Sequence, residues 1–256
     1  MSDYPAWLDA EYAPHPAKFS APVATMIVEL IEKHHMDGTA LDPFGGTGGL
    51  HHIGEVIRER RDQYVTTFVN ELEEEWASEA AEYGATRCGD FFTFRPGIND
   101  KFWMKWDGEE PSFVLYDEPK FDMVITSPTY GNRMADKHNA RDSSKRMTYK
   151  HQLGRDLSDN NSGGMQWGPA YRTFHGRAWM RVKQLLTDDG YFILNVKDHV
   201  RAGKIIKVAQ WHVDTALRLG FDVLDRRWVH TSGMGFGQHQ QTLKVDHEEV
   251  IVFTKG

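Results

Sequence analysis

The feature that most constrains the fold is a glycine-rich run, Gly45 to Gly49, which lies between two segments of different periodicity. The segment before it, Thr39 to Phe44, is short and predicts a buried strand. The segment after it, Leu50 to Ile57, has apolar residues at helical spacing, so the glycines form a strand-to-helix turn. Glycine lets such a turn bend sharply and lets a ligand approach the backbone without an intervening Cβ. A tight turn without a ligand is the alternative that this run alone leaves open.

The same alternation of strand and helix patterns continues along the chain. Strands are predicted at 64–69, 121–126, 191–196, 221–230 and 250–254, and helices at 22–34, 72–83, 172–186 and 208–219. Strands that alternate with helices predict a mostly parallel sheet covered on both faces. The last two strands follow each other without a helix, which predicts one antiparallel strand at or near the edge. We therefore predict a doubly wound α/β fold in one domain, residues 1–256, with ligands at the carboxyl ends of the strands.

Cysteine content and hydropathy exclude several classes of protein. The single cysteine, Cys88, excludes a disulfide framework and a thiolate-based zinc or iron–sulfur cluster, and we expect no metal. No apolar run approaches the roughly 18 residues that a membrane-spanning helix needs. The N-terminal residues lack the basic and apolar regions of a signal peptide. These features predict a soluble, cytoplasmic protein without a membrane partner.

Three acidic residues near predicted strand ends are candidate ligand-binding groups. Asp42 directly precedes the glycines, where a carboxylate would repel a pyrophosphate but could accept a hydrogen bond from an ammonium group. Glu71 ends the second strand, where a carboxylate can bind both hydroxyls of a ribose. The alternative for Glu71 is a solvent-exposed helix start in an acidic segment. Asp90 ends the presumed third strand, where it could meet an adenine amino group.

These residues together resemble the S-adenosyl-L-methionine (AdoMet) site of class I methyltransferases. The segment DPFGGTGG resembles the first motif of that family, and HPAKF at 15–19 resembles the motif that precedes it in amino-group-specific DNA methyltransferases. The resemblance implies a Rossmann-like sheet with AdoMet as methyl donor, its ribose at Glu71 and its adenine near Asp90. It also implies that the amino-acid end of AdoMet is held by Lys18, Phe19, Asp42, Pro43, Phe44, Gly45, Gly46 and Gly48.

The tetrapeptide Ser127-Pro128-Thr129-Tyr130 resembles the [Asp/Asn/Ser]-Pro-Pro-[Tyr/Phe] motif of enzymes that methylate exocyclic amino groups of bases. Such an amine is a poor nucleophile because its lone pair is delocalised into the ring. The Ser127 hydroxyl oxygen and the Pro128 carbonyl could accept its two N–H hydrogens and favour a pyramidal nitrogen. Tyr130 offers a flat face on which an extruded base can stack, so base flipping is implied. Thr129 departs from the motif, and a plain turn with a buried tyrosine is the alternative.

Cys88 bears on the choice of target atom. Methylation at C5 of cytosine uses a thiolate in a Pro-Cys context after the fourth strand, whereas Cys88 follows the third strand in an Arg-Cys-Gly-Asp context. Covalent C5 chemistry is therefore not expected. We expect Cys88 to be a small buried residue.

Residues 131–168 follow the motif and form a polar insertion without sustained periodicity, which is typical of functional or mobile loops. Between residues 132 and 155 it contains seven cations and two anions, a local charge of +5 in a chain whose formal net charge is −7. A basic loop after the catalytic motif suits contact with nucleic-acid phosphates, and a merely solvated loop is the alternative. The candidate DNA-binding residues are Arg133, Lys137, Arg141, Lys145, Arg146 and Lys150.

The motif order resembles the gamma arrangement of amino-group-specific DNA methyltransferases, and the chain is similar to compact phage-encoded DNA methylases. The resemblance implies a DNA methyltransferase, located in the host cell cytoplasm if phage-encoded, with Ser127 favouring N4 of cytosine slightly over N6 of adenine. One alternative is an RNA guanine-N2 methyltransferase, a class that also has Tyr-Gly after a proline motif. The other is a catalytically silent nucleic-acid binder with an AdoMet fold.

Overall fold

The computed structural model describes residues 19–61, 64–95, 101–104, 112–115, 120–131, 149–231 and 244–256. Its helices are α1 (Ala21–Lys33), α2 (Gly49–Arg61), α3 (Glu74–Ala80), α4 (Tyr149–Leu153), α5 (Pro169–Leu185) and α6 (Val208–Arg218). Its first strands are β1 (Gly38–Asp42), β2 (Val65–Glu71), β3 (Ala85–Cys88), β4 (Lys101–Met104), β5 (Ser112–Leu115) and β6 (Phe121–Thr126). They are followed by β7 (Leu186–Val196), β8 (His199–Arg201), β9 (Lys204–Ile206), β10 (Asp222–His230) and β11 (His247–Thr254).

Nine of the described strands form one sheet in the order β10-β11-β7-β6-β1-β2-β3-β4-β5, and β8 and β9 pair separately. The five strands β1, β2, β3, β6 and β7 are parallel to one another. β11 is antiparallel to both of its neighbours, β7 and β10. The predicted α/β fold, a mostly parallel sheet with an antiparallel strand near one edge, is therefore confirmed.

The strand order reverses between β1 and β6. The chain builds outward from β1 to β2 and β3 and then returns to the other side of β1. At such a point the loops that follow the two strands diverge and leave a crevice for a ligand. The glycine loop follows β1 and the Ser127–Tyr130 motif follows β6, so both predicted motifs lie at this crevice.

Helices cover both faces of the sheet. Ile27 and Ile31 of α1 are buried in a cluster with α2 and one face of the central strands. Trp179 of α5 and Ala209 of α6 are buried in a second cluster on the other face. Burying an aliphatic or aromatic side chain contributes about 1.5–3 kcal/mol, so these two layers fix the strand ends that form the crevice. Among the described helices, none has the length and apolar character needed to cross a membrane.

Several elements differ from the sequence prediction. β4 and β5 extend the sheet beyond β3 in an antiparallel arrangement, and β8 and β9 form a hairpin after β7. The sequence predicts neither pair, because strands of three or four residues are too short to establish a periodicity. α4 is five residues long and lies within the insertion predicted to be a loop. β2 ends at Glu71, as expected, two residues beyond the predicted range of 64–69.

Candidate functional site

A pocket opens at the crevice between β1 and β6, the position at which open α/β sheets bind their ligands. It brings together five predicted site residues, which lie at the carboxyl ends of four different strands: Pro43, Phe44, Glu71, Asp90 and Ser127. The other residues that line it are Asn70, Leu72, Trp76, Phe91, Thr129, Tyr149, Asn160, Asn161, Ser162 and Phe174. Seven of these fifteen lining residues are therefore aromatic or apolar, and the other eight have carboxylate, amide or hydroxyl groups.

The glycine loop folds back onto the end of β2. The backbone N–H of Gly45 donates to the Asn70 carbonyl oxygen at 3.0 Å. A Cβ at Gly45 would overlap the side chain of Val69, so only glycine fits this close approach. Gly46 and Gly48 have φ angles of 53° and 91°, which glycine adopts without strain.

Glu71 is buried and binds backbone N–H groups on both sides of the pocket floor. Its Oε2 accepts from Gly46 N at 2.8 Å, and its Oε1 accepts from Leu72 N at 2.8 Å and Glu73 N at 2.9 Å. Burial raises the pKa of Glu71 to about 7, and these hydrogen bonds lower it only in part. The side chain is 6% exposed, so the alternative of a solvent-exposed helix start is wrong.

Asp42 is also buried, but it lies behind the pocket wall. Its Oδ1 accepts from Phe44 N at 3.0 Å and from the Thr126 hydroxyl at 2.7 Å. Asp42 therefore connects the glycine loop to the end of β6. Burial is the main cause that raises the pKa of Asp42 to about 7. Contact between Asp42 and an ammonium group stays a prediction.

The third predicted acid, Asp90, begins a short 3-10 helix at Phe91–Thr93. Its Oδ1 accepts from Phe92 N at 2.9 Å, and its Oδ2 accepts from Asn160 Nδ2 at 2.8 Å. Asn160 belongs to the insertion, so this bond connects the insertion to the wall of the pocket. The loop after β3 is also held by Asn70, whose Nδ2 donates to the Gly89 carbonyl oxygen at 3.1 Å.

Several predicted residues besides Asp42 lie outside the pocket lining: Gly45, Gly46, Gly48, Pro128, Tyr130, Phe19 and Cys88. Phe19 is 6% exposed and packs in the hydrophobic core against Gly49, so its contact with a cofactor stays a prediction. Cys88 is exposed at the end of β3, and the expectation that it is buried is wrong because the last residue of this strand projects outward. Partial burial and the nearby carboxylates of Glu71 and Glu74 raise the pKa of Cys88, which disfavours the thiolate.

Ser127 and Tyr130, two residues of the predicted catalytic motif, share a polar cluster with Asn195 of β7 and Glu248 of β11. The Ser127 and Tyr130 hydroxyl oxygens are 3.0 Å apart, and Asn195 Nδ2 lies 3.0 Å from each. Glu248 Oε2 accepts from the Tyr130 hydroxyl at 3.0 Å and from Asn195 Nδ2 at 2.8 Å. Burial and the neighbouring Glu248 raise the pKa of Tyr130 well above its usual value, so the phenol keeps its proton.

Sequence reasoning missed Asn195 and Glu248. Asn195 is the one polar residue of the buried run from Phe192 to Val196, and a lone amide near the carboxyl end of a strand was the available signal. Glu248 had no comparable signal, because it reaches the cluster only through the antiparallel pairing of β11 with β7.

Thr129, which departs from the motif, connects the loop formed by Ser127–Tyr130 to the insertion. Its hydroxyl donates to the Ser162 carbonyl oxygen at 3.0 Å and lies 3.1 Å from the Ser162 hydroxyl. Its own carbonyl oxygen accepts from the Tyr171 hydroxyl of α5 at 2.7 Å. A proline at this position would lack the side-chain donor.

The insertion from residue 154 onward is anchored to the pocket by Glu73, a buried residue that sequence reasoning also missed. Glu73 accepts from Ser158 N at 2.9 Å, from the Ser158 hydroxyl at 3.0 Å and from Asn161 Nδ2 at 2.8 Å. Arg155 Nη1 lies 2.8 Å from Glu73 Oε2, and Arg155 also pairs with Glu75. Arg155, one of the seven cations of the insertion, is therefore an anchor for this segment.

The remaining cations of the insertion fall largely outside the described residues. Lys18 lies there too, as do Arg133, Lys137, Arg141, Lys145 and Arg146. Lys150 belongs to α4, but its side chain is not described. Their contacts with cofactor or nucleic acid stay predictions. Within the described ranges, no group of three or more His, Cys, Asp or Glu residues is arranged to hold a metal ion.

No protein-family model matches this sequence, and no curated protein matches it. Among solved structures, the chain aligns with a class I S-adenosylmethionine-dependent methyltransferase from Listeria monocytogenes at 11% identity and a TM-score of 0.52. That alignment covers 93% of this chain but 61% of the Listeria chain. A methyltransferase from Clostridium acetobutylicum aligns at 12% identity and a TM-score of 0.49, covering 96% and 95% of the two chains. TrmN from Thermus thermophilus aligns at 14% identity and a TM-score of 0.48, covering 92% and 49%.

The Listeria alignment shows that the described chain has the class I methyltransferase fold. This chain spans about three fifths of the length of the Listeria protein and about half that of TrmN. The predicted Rossmann-like fold of class I methyltransferases is thereby confirmed.

Proposed function

We propose that this protein is an AdoMet-dependent methyltransferase that methylates an exocyclic amino group of a flipped base in DNA. The observation that carries the proposal is that Ser127 of the catalytic motif lines the same pocket as Phe44 of the glycine loop and Glu71 of β2. A methyl donor held by the loop and an amine held by the motif would therefore meet in one cavity.

The residues that line the pocket have the chemistry to bind AdoMet. Aromatic rings of Phe91, Trp76 and Tyr149 form walls for a planar base, and Asp90 lies beside them as an acceptor for an amino group. A carboxylate offers about four acceptor positions, and Glu71 uses three of them for backbone N–H groups. The free position is on Oε2, so Glu71 could accept one ribose hydroxyl while the glycine loop stays in place. This refines the expectation that Glu71 binds both hydroxyls.

The protein's own contribution to the reaction is to orient the amine. The cofactor, when bound, supplies an electrophilic methyl group on a sulfonium. The Ser127 oxygen and the Pro128 carbonyl would accept the two N–H hydrogens, which aims the nitrogen lone pair at that methyl group. The methylated amine is acidic until it loses one hydrogen as a proton, which solvent can accept, so a strong general base is not required.

A basic surface beside the catalytic loop supports a nucleic-acid substrate. The β8–β9 hairpin carries Arg201 and Lys204 on its exposed side, next to Lys207. Arg201 donates to the Trp167 carbonyl oxygen at 3.2 Å, and Trp167 N donates to the carbonyl oxygen of Gly131, the residue after Tyr130. Trp167 therefore connects the hairpin to the residue that follows the catalytic motif. At this position the cations of the hairpin could bind phosphates. We propose that the cations of the insertion also bind phosphates: Arg133, Lys137, Arg141, Lys145, Arg146 and Lys150.

Transfer of tritium from labelled AdoMet tests the proposal. Duplex DNA, single-stranded DNA and tRNA are offered separately, and the labelled nucleoside is identified by mass spectrometry. We expect label in DNA, on N4 of cytosine in preference to N6 of adenine. Ser127→Ala is expected to abolish turnover while AdoMet binding persists. Label in tRNA alone would replace DNA by RNA as the substrate, and label in none of the three would favour a silent binder.

A further inference from the structure

The polar cluster behind the catalytic motif contains two residues, Asn195 and Glu248, that the proposed reaction has not yet used. Asn195 is 1% exposed, and the Glu248 side chain is 14% exposed. They come from the adjacent strands β7 and β11 and meet Ser127 and Tyr130 at the end of β6. Each hydroxyl in the cluster has one hydrogen to donate, so the donor and acceptor inventory limits the directions that the hydrogen bonds between these residues can take.

Glu248 determines the direction of the first hydrogen bond. A carboxylate only accepts, so the Tyr130 hydroxyl, 3.0 Å away, must donate its hydrogen to Glu248. The Asn195 atom at 2.8 Å from Glu248 must be the amide nitrogen, because the amide oxygen would place two acceptors against each other. The Tyr130 oxygen, having donated its hydrogen, can only accept within this cluster.

The direction at Ser127 follows from that at Tyr130. The two hydroxyl oxygens are 3.0 Å apart, and because the Tyr130 hydrogen is already donated to Glu248, only Ser127 has a hydrogen left to donate in this pair. Asn195 Nδ2 has two hydrogens and lies within 3.0 Å of Ser127, Tyr130 and Glu248, so the Ser127 oxygen accepts at most one hydrogen from it. At least one lone pair therefore remains on Ser127, and this residue lines the pocket.

The direction in which the Ser127 hydroxyl points its hydrogen matters for methylation of an amine. A Ser127 oxygen that presents a lone pair accepts an N–H hydrogen and leaves the nitrogen lone pair free for the methyl group. If the Ser127 hydrogen turned into the pocket instead, it would donate to the amine nitrogen and occupy the electron pair that must attack. We propose, on the basis of the proposed function, that Glu248 is a positioning residue that acts through Tyr130 and holds Ser127 as a hydrogen-bond acceptor toward the substrate amine.

Neutron diffraction from crystals of the deuterium-exchanged protein tests the direction without any substrate. We expect the Tyr130 deuterium to lie toward Glu248 and the Ser127 deuterium to lie toward Tyr130. A Ser127 deuterium that points into the pocket would overturn the proposal. This measurement stands whether or not the protein methylates DNA.

Kinetics of three variants test the consequence, using the acceptor that the wild type methylates. Glu248→Leu removes the acceptor at similar size and should lower kcat about 10-fold to 100-fold with a smaller change in KM. Glu248→Gln keeps an acceptor oxygen and should retain kcat within about threefold. Tyr130→Phe keeps the ring for stacking but removes the hydroxyl, and it should lower kcat as Glu248→Leu does. Glu249→Gln, on the next residue of β11 and paired with Arg226, is the matched control and should leave kcat unchanged.

A double-mutant cycle distinguishes positioning from a general loss of stability. Because Glu248 acts through Tyr130, adding Glu248→Leu to Tyr130→Phe should lower kcat less than twofold further. Additive losses, or equal losses in Glu248→Gln and Glu248→Leu, would show that Glu248 does not act through this chain. A wild-type protein that methylates no nucleic acid would refute the proposed function, and the neutron result would still decide the direction of the hydrogen bonds.

Discussion

The hydroxyl of Thr129 donates a hydrogen bond to the carbonyl oxygen of Ser162 at 3.0 Å, across 33 residues of sequence. Thr129 and Ser162 both line the pocket. Thr129 belongs to the loop Ser127–Tyr130, and Ser162 belongs to the insertion. Because Asn160 and Asn161 beside Ser162 also line it, this bond helps to hold the insertion against the pocket. The residue that departs from the motif thus has a structural role that a proline could not perform.

Replacing Thr129 by valine is therefore expected to weaken binding of AdoMet without unfolding the protein. Valine keeps the shape of threonine but removes the hydrogen bond, whose net contribution is about 0.5–1.5 kcal/mol. The dissociation constant for AdoMet, measured by isothermal titration calorimetry, should rise about 2-fold to 10-fold. Thr66→Val, at an exposed position on β2, is the control and should leave it unchanged. An unaltered dissociation constant in Thr129→Val would separate this bond from cofactor binding.

Glu73→Gln is expected to destabilise the anchored part of the insertion. Glu73 is fully buried and accepts from Ser158, Asn161 and Arg155, so an amide would place a donor against donors and leave Arg155 with a weaker partner. Loss of a buried hydrogen-bonding group costs about 1–3 kcal/mol in the free energy of unfolding, which urea denaturation measures. Glu75→Gln is the matched control, because Glu75 is half exposed and pairs with the same arginine. It should cost about 0–1 kcal/mol. Equal losses in the two variants would contradict an anchoring role for Glu73.

The elements that the sequence predicts well are those whose residues repeat a pattern over several turns or several strand positions. Phe121 to Thr126 is a strand with the predicted bounds, and the helix predicted at 208–219 is observed at Val208–Arg218. The glycine loop and the catalytic motif were located because each follows such a strand. Their meeting in one pocket then depends only on the rule that parallel strands bring their carboxyl ends to one edge.

The contacts that the sequence does not predict depend on tertiary pairing. Glu73 and Glu75 are close in sequence and equal in charge, yet Glu73 is fully buried while Glu75 is half exposed. The difference arises because Ser158 and Asn161 of the insertion cover Glu73 but not Glu75. Glu248 likewise meets Tyr130 only because β11 pairs with β7, and no local pattern encodes that register.

Stability should depend on pH through Glu71. Burial raises its pKa to about 7 in the folded protein from an ordinary value of 4.5, so the folded state holds a proton that the unfolded state has released. Between these two pH values the unfolded state binds fewer protons, and the free energy of unfolding therefore falls as the pH rises. Glu71→Gln removes this titration, so its free energy of unfolding should fall less than that of the wild type between pH 5 and pH 7.5. Urea denaturation at the two pH values measures the difference.

For Glu71→Gln, the quantity to compare with the wild type is the slope of the free energy of unfolding against pH. The free energy itself is shifted at every pH, because the substitution also changes the hydrogen bonds at Gly46 and Leu72. Glu74→Gln serves as the control, because Glu74 is an exposed carboxylate at the start of α3. This variant should keep the wild-type slope. A Glu71→Gln slope equal to that of the wild type would mean that Glu71 titrates normally in the folded protein.

The β8–β9 hairpin should contribute to the salt dependence of DNA binding, if its cations contact phosphates as proposed. Lys204 is exposed on the hairpin, and Lys207 is exposed close to it, at 3.2 Å from Asp198. Each phosphate contact contributes about −0.9 to the slope of log K against log salt concentration. Lys204→Gln should therefore lower affinity for duplex DNA of any sequence and reduce the magnitude of the slope by about 0.9. Lys207→Gln should have a smaller effect because Asp198 already partly neutralises its charge.

Fluorescence anisotropy of labelled duplex at several salt concentrations measures both the affinity and its salt dependence. Arg58→Gln, at an exposed position on α2, is the control and should leave the slope unchanged. Equal slopes for Lys204→Gln and the wild type would place the DNA elsewhere on the protein surface.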